Sequence, residues 1–330
     1  MKKTGLRIAG IASALLLAAC SSPTPGATTA GTTGGTAAAK TYKIGITQIV
    51  AHPSLDASRE GFKKAIADAG LKVTYDEQNA NGDQATATSI ASKFKDGGLD
   101  LVLAIATPTA QATAQAITST PILFTAVTDP VAAKLVASNE APGGNVSGTT
   151  DMNPVAEQIA LIKKIKPDAK SVGIIYSSGE VNSEVQVKAA REAAAKEGLT
   201  VVEKTVTTTA EVQQAASSIT ADSLYVPTDN NVVSGLASVV GVAESKKIPL
   251  VVGEGDSVAK GGVITYGIDY NKLGYQTGQM AVKILTQGAK PATMAVESQT
   301  DLKLYVNKAA AGRMGVTIPA DLLAKAEVVG

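Results

Sequence analysis

The strongest constraint in this chain is that one strand–turn–helix pattern occurs twice at a constant offset. Lys43-Ile-Gly-Ile and Ser171-Val-Gly-Ile open two similar runs, and Gly45 answers Gly173, Gly70 answers Gly198 and Leu71 answers Leu199. In the second copy Val172 to Tyr176 is a short continuous apolar run, the pattern of a strand buried on both faces. The polar turn Ser177-Ser178-Gly179-Glu180 follows. Next comes a stretch rich in Ala, Glu, Lys and Gln that stops at Gly198, which reads as a helix with Asn182 or Ser183 as its N-cap. After each Gly-Leu comes a β-rich segment (Lys72 to Gln78; Thr200 to Thr207), then an Ala/Thr/Ser-rich helical pattern, then a strand ending in Pro108-Thr109 or Pro227-Thr228. The register slips in between, so the second copy is shorter. Two βαβαβ halves predict an α/β protein of two Rossmann-like lobes with parallel sheets. Ligands sit beyond the carboxyl ends of strands in such sheets, so two facing edges make a cleft.

Ahead of the first lobe, Lys2, Lys3 and Arg7 precede an apolar core from Ile8 to Leu17, the layout of an export signal over residues 1–20. Leu17-Ala18-Ala19-Cys20 resembles the bacterial lipobox, whose cysteine is acylated and becomes the mature N-terminus. Cys20 is the only cysteine, so no internal disulfide forms. Residues 21–40 read as a flexible tether, because Ser21 to Ala39 holds only Ser, Thr, Gly, Pro and Ala. The expected order is lipid, tether and two-lobed body, held outside a membrane.

The body reads as β and α segments in alternation, with strands near Asn145 to Gly148 and Val263 to Gly267 that look like crossings and a late strand at Leu302 to Val306. This order predicts a first lobe of residues 41–149 and 269–298 and a second of 150–268 and 299–330. The linkers fall near Thr149, Ile268 and Ser298, and several crossings give a hinge with a defined closure.

The formal charge is +1, and the three cations of the first twenty residues leave −2 for the rest, with no basic stripe to attract nucleic acid. Catalysis has little to work with. His52 is the only histidine, and no Gly-x-Ser-x-Gly elbow occurs. One histidine and one cysteine make no soft metal cage. Gly253-Glu-Gly255 lacks the third glycine of a dinucleotide loop, since position 258 is Val, and a plain tight turn is expected. No cofactor is implied.

What the strand ends do carry is hydrogen-bonding side chains: Gln48, His52, Thr107, Thr109, Ser177, Ser178, Glu180, Asn182, Ser183, Thr228, Asp229 and Asn230, with Ala126 closing a further strand. These are the expected ligand-binding residues. Ser177 and Asn182 either cap the helix or turn its N-terminus toward an anion. Asp229 either caps the next helix or pairs with a buried ammonium. Thr109, Ser178 and Ser183 are placed to surround a carboxylate. Phe62 and Phe94 read as core. Phe124, Tyr176, Tyr266 and Tyr270 remain as aromatic planes, and there is no Trp. A modest apolar slot with polar ends fits this supply better than a sugar sandwich.

Ile105-Ala-Thr-Pro-Thr-Ala-Gln111, Phe124-Thr-Ala-Val-Thr-Asp-Pro130, Ile175-Tyr-Ser-Ser-Gly-Glu-Val-Asn-Ser183 and Gly267-Ile-Asp-Tyr-Asn-Lys-Leu-Gly274 resemble the ABC-transporter substrate-binding lipoproteins of the tryptophan/tyrosine-binding type. The likeness spans nearly all of Tyr42 to Ala326. It implies a type I periplasmic-binding-protein fold and a small ligand in the interlobe cleft, foremost an amino acid with an uncharged, aromatic side chain. It also implies a membrane permease as partner, no chemistry of its own, and a monomer outside the cell membrane. The rival readings are a ligand sensor that presents its closed form to a receptor, and a binder of another small solute such as a sugar.

Overall fold

The computed structural model describes residues 40–330; the expected signal, Cys20 and most of the tether lie outside them. The first unit of the repeat is β1 (Thr41–Gln48), α1 (Pro53–Asp68), β2 (Lys72–Asn79), α2 (Gln84–Lys95) and β3 (Leu101–Ile105). It continues with α3 (Thr107–Ala116), β4 (Ile122–Thr125), β5 (Val146–Thr150) and α4 (Val155–Ile165). The second unit is β6 (Ser171–Ser177), α5 (Val181–Lys196), β7 (Thr200–Val206), α6 (Val212–Ser218) and β8 (Ser223–Val226). Then come α7 (Asn230–Ser234), α8 (Leu236–Lys246), β9 (Leu250–Val252), α9 (Gly255–Ala259) and β10 (Ile264–Gly267). The chain ends with α10 (Tyr270–Gln287), β11 (Glu297–Ser298), β12 (Lys303–Val306), α11 (Lys308–Arg313), α12 (Ala320–Leu323) and β13 (Ala326–Val328).

These strands form two sheets, in the orders β11-β5-β4-β3-β1-β2 and β13-β12-β10-β9-β8-β6-β7. All pairings are parallel except β10 with β12. Each copy of the repeat places its strands alike, β2-β1-β3 and β7-β6-β8. Central strands such as β3 are buried along their whole length, which their continuous apolar runs require. The paired glycines have a packing reason. A Cβ on Gly45 would meet Leu99 and Phe94, and one on Gly173 would meet Ile219 and Leu224. In both lobes the strand leaves room there for the apolar chain returning from the second helix.

The chain passes between the sheets after β5, after β10 and between β11 and β12. The second passage returns α10 to the first sheet, against α1. Three glycines let these two helices touch by their backbones. A Cβ on Gly61 would strike Asn271, one on Gly274 would strike Ser58, and one on Gly278 would press on Phe62 and Ala65.

Some local expectations need correction. Glu180, not Asn182 or Ser183, occupies the N-cap position of α5, and it makes no side-chain cap bond. The helical stretch that follows Asp229 is broken at Gly235 into α7 and α8, where a Cβ would crowd Val212 and Thr209. Phe124 is fully buried in the first core, so it offers no plane to a ligand.

Candidate functional site

The carboxyl ends of the two sheets face each other across a narrow enclosed space of about 20 Å³. From the first lobe and the passages it is lined by Ser54 and Leu55 of α1, Ala126, Thr128, Asp151 and Tyr270. From the second it is lined by Asn182, Thr228, Asn230, Val233 and Glu254, and His52 sits at its edge. A wider, more open chamber of about 230 Å³ adjoins it and shares His52, Val233 and Glu254. Its other walls include the apolar Ala51, Pro53, Leu236 and Ala237.

Two residues at this edge carry backbone strain. Ala106 and Ala126, immediately after β3 and β4, hold φ at +79° and +55°, where a Cβ is unfavourable. α1 begins at the cavity without a side-chain cap from His52, so its first-turn N–H groups remain free there.

Two acids lie in the cavity wall. Asp151 accepts from Thr128 Oγ1 at 3.0 Å and from Tyr270 Oη at 2.7 Å. Burial pushes its carboxyl up, partly offset by those two donors. Glu254 caps α9, accepting from Ser257 N at 3.0 Å and from the Ser257 hydroxyl. Burial, reinforced by nearby Asp256, pushes it up to about 7. The inner cavity has no Lys or Arg in its lining. His52 is partly buried as a residue, its Nδ1 is enclosed, and burial lowers the imidazole to about 4, so it is neutral at physiological pH. Three buried polar atoms of the lining have no partner in the protein: His52 Nδ1, Asn182 Oδ1 and Thr228 Oγ1. Buried polar atoms are normally paired, and a cluster of orphans in one cavity is what a ligand site leaves.

Of the residues expected from the sequence, His52, Ala126, Asn182, Thr228 and Asn230 meet in this cavity. The others lie outside the lining. Gln48 is spent on Val50 O, Asp56 and Arg59. Thr109 turns its hydroxyl back to Ile105 O at 2.6 Å, and Thr107 is buried beside it, outside the lining. Ser178 is exposed on the β6–α5 turn.

Of the two roles open to Asp229, the structure shows the helix cap. It is fully buried and accepts from Ser177 N, Ser177 Oγ, Ser183 Oγ and Val232 N. It holds β6, α5 and α7 together, so Ser177 and Ser183 are bound to it rather than offered to a carboxylate. Glu180 stands behind the wall, bonded to Asn182 and Asn230. The acids that do face the cavity are Asp151 and Glu254. Asp151 follows β5, and the strand-end rule applied to that strand would have found it. Among the described residues no group of His, Cys, Asp and Glu could hold a metal ion.

Residues 43–329 match the family model of the ABC transporter substrate-binding proteins. The chain belongs to that family. It is 43% identical to the tyrosine-binding protein of Clostridioides difficile over 93% of this chain and 90% of that one. Its fold is the type I periplasmic-binding-protein fold. A domain from Streptococcus pneumonia solved in complex with L-Trp overlays with a TM-score of 0.85, at 38% identity over 88% of this chain and all of that one. A substrate-binding protein with adhesive properties from Clostridium difficile, solved ligand-free and open, is more identical at 46%, over 87% of this chain and 99% of that one. Yet it overlays at only 0.66. Among the described residues no helix is long and apolar enough to cross a membrane.

Proposed function

We propose that this substrate-binding protein captures a free amino acid with an uncharged, aromatic side chain and delivers it to an ABC permease from a lipid anchor at Cys20. The observation that carries the ligand class is the pair Asp151 and Glu254, two buried acids in a cavity whose lining offers no cation. A buried charge is stable only when paired, and a ligand ammonium supplies the partner. The ligand carboxylate meets the uncapped first turn of α1 at Ser54 and Leu55, where free N–H groups and the helix dipole favour an anion, with the Thr228 hydroxyl and neutral His52 beside it. Leu55, Ala126, Val233 and the Tyr270 ring form the apolar wall for the side chain. The names of the relatives, one tyrosine-binding and one holding L-Trp, agree with an aromatic ligand.

Calorimetry against the twenty amino acids, their decarboxylated amines and a few sugars tests this reading. An amine bound as tightly as its parent amino acid removes the carboxylate site, and a sugar bound in preference removes the class. The anchor rests on Leu17-Ala-Ala-Cys20 and the uncharged tether. Cys20→Ser is expected to release or mis-sort the protein with ligand binding intact, and unchanged lipid labelling and membrane retention would refute it.

A further inference from the structure

Asn182 and Asn230 reach the cavity from the second lobe, and both lean on one residue behind them. Glu180 is buried, at 7% exposure, and is not itself part of the lining. Its Oε2 accepts from Asn182 Nδ2 at 2.9 Å, from Asn230 Nδ2 at 2.6 Å and from Asn230 N at 3.4 Å. Asn182 Nδ2 also donates to the backbone oxygen of Thr228 at 3.2 Å. A backbone oxygen only accepts, so the NH₂ side of Asn182 must face Thr228 and Glu180. Its Oδ1 is thereby left buried with no partner in the protein.

We infer that Glu180 is a positioning residue that locks the Asn182 amide, so that Asn182 Oδ1 accepts a hydrogen bond from the ammonium of the bound ligand. The inference rests on the amino-acid reading above. An ammonium carries three N–H donors, and Asp151, Glu254 and Asn182 Oδ1 give it three acceptors around one small space. Burial, reinforced by Asp229, pushes Glu180 up to about 8, so near neutral pH it is a neutral carboxyl. With Oε2 already accepting three donors, the proton belongs on Oε1. Neutral Glu180 thus turns Asn182 without adding a second negative charge beside Asp229. Glutamine has the same shape and the same accepting oxygen.

The test compares two probes, L-tyrosine and its deaminated analogue, a hydroxyphenylpropionate of the same skeleton. Their affinity ratio is an internal control that general loosening of the fold does not move. Asn182→Leu is expected to weaken L-tyrosine roughly tenfold or more and the analogue less than about twofold, as loss of one charge-assisted bond implies. Glu180→Leu is expected to reproduce this selective loss, and Glu180→Gln to retain most of the ratio, within about threefold of wild type. If Glu180→Leu melts too low to titrate, Glu180→Gln against Asn182→Leu decides. Equal losses on both probes for Asn182→Leu overturn the inference. A glutamine variant as unselective as Asn182→Leu overturns it too. Wild-type protein that binds none of the twenty amino acids defeats the amino-acid reading and this inference together. Wild-type binding of L-tyrosine with unselective variants defeats this inference alone.

Discussion

Ser54 Oγ, at the start of α1 in the first lobe, donates to Asp256 Oδ2, in the first turn of α9 in the second, at 2.9 Å. The bond spans the cleft beside the cavity, so it exists only while the lobes are together. Closure by a ligand can extend only as far as the ligand favours the closed form, and this bond biases that equilibrium. A hydrogen bond is worth a net 0.5–1.5 kcal/mol, roughly. Ser54→Ala is therefore expected to weaken ligand binding by about 2- to 10-fold. Small-angle scattering of the ligand-free variant should report a more open population than wild type. Unchanged scattering and unchanged affinity would show that the bond forms without influencing closure.

The contact between α1 and α10 gives a stability prediction with two opposed terms. Replacing Gly274 by Ala gains up to about 1 kcal/mol of helix propensity. The new methyl, however, would meet the backbone of Ser58, and backbone cannot turn aside as a flexible side chain can. Overpacking costs about 1–3 kcal/mol, or more where the backbone must shift. The second term wins. Gly274→Ala should lower Tm by several degrees, while Gly312→Ala, whose Cβ meets nothing within 4 Å, should not.

Asp229 is expected to matter for the fold more than for the ligand. Asp229→Ala strands the Ser177 and Ser183 hydroxyls and the N–H groups of Ser177 and Val232. Loss of a helix cap together with stranded buried donors costs on the order of 3 kcal/mol. Denaturant unfolding should register that loss. Among variants that remain folded, Asp151→Ala should weaken an amino-acid ligand more than Asp229→Ala does, and the reverse order would return the ammonium to Asp229.

The lobes were legible because their determinants are local and periodic. Buried parallel strands must be apolar along their length, and the repeated glycines mark where a strand makes room for a returning chain. The cavity was half legible. Strand ends name the residues that can reach a cleft, which is how His52, Asn182, Thr228 and Asn230 were found. They do not say which polar atoms the protein uses itself. Thr109 bonds its own preceding turn, and Ser177 and Ser183 serve Asp229. Those choices depend on rotamers and on partners 46 to 52 residues away. Asp151 is hidden because the short β5 reads as a crossing rather than as a strand whose end faces the cleft, and Tyr270 because its pattern marks only an aromatic plane.

Glu254 makes the proposed ligand binding depend on pH. Burial first, then Asp256, raises its carboxyl from 4.5 to about 7, so at pH 6 the ligand-free protein carries a proton there. An ammonium beside Glu254 favours the charged form and pulls the value back down. Binding near pH 6.5 must then release part of a proton, and affinity should rise with pH, by roughly tenfold between pH 6 and 8 for one such group. The stability of the ligand-free fold runs the other way. A carboxyl whose folded value is raised stabilises the fold fully below its unfolded value of 4.5, and that contribution is lost as pH rises through about 7. Glu180, raised to about 8, adds to the same decline. His52, lowered from 6.5 to about 4, acts oppositely: its contribution is present above 6.5 and is lost as pH falls through 4. The window from pH 6.5 to 8 lies above the range in which His52 contributes, so the raised acids act there without it, and the ligand-free Tm should fall while the affinity for L-tyrosine rises. Calorimetry at pH 6.5 in buffers of different ionisation enthalpy should return a buffer-dependent heat for wild type and a smaller dependence for Glu254→Gln. Buffer-independent heats in both would place the ammonium away from Glu254.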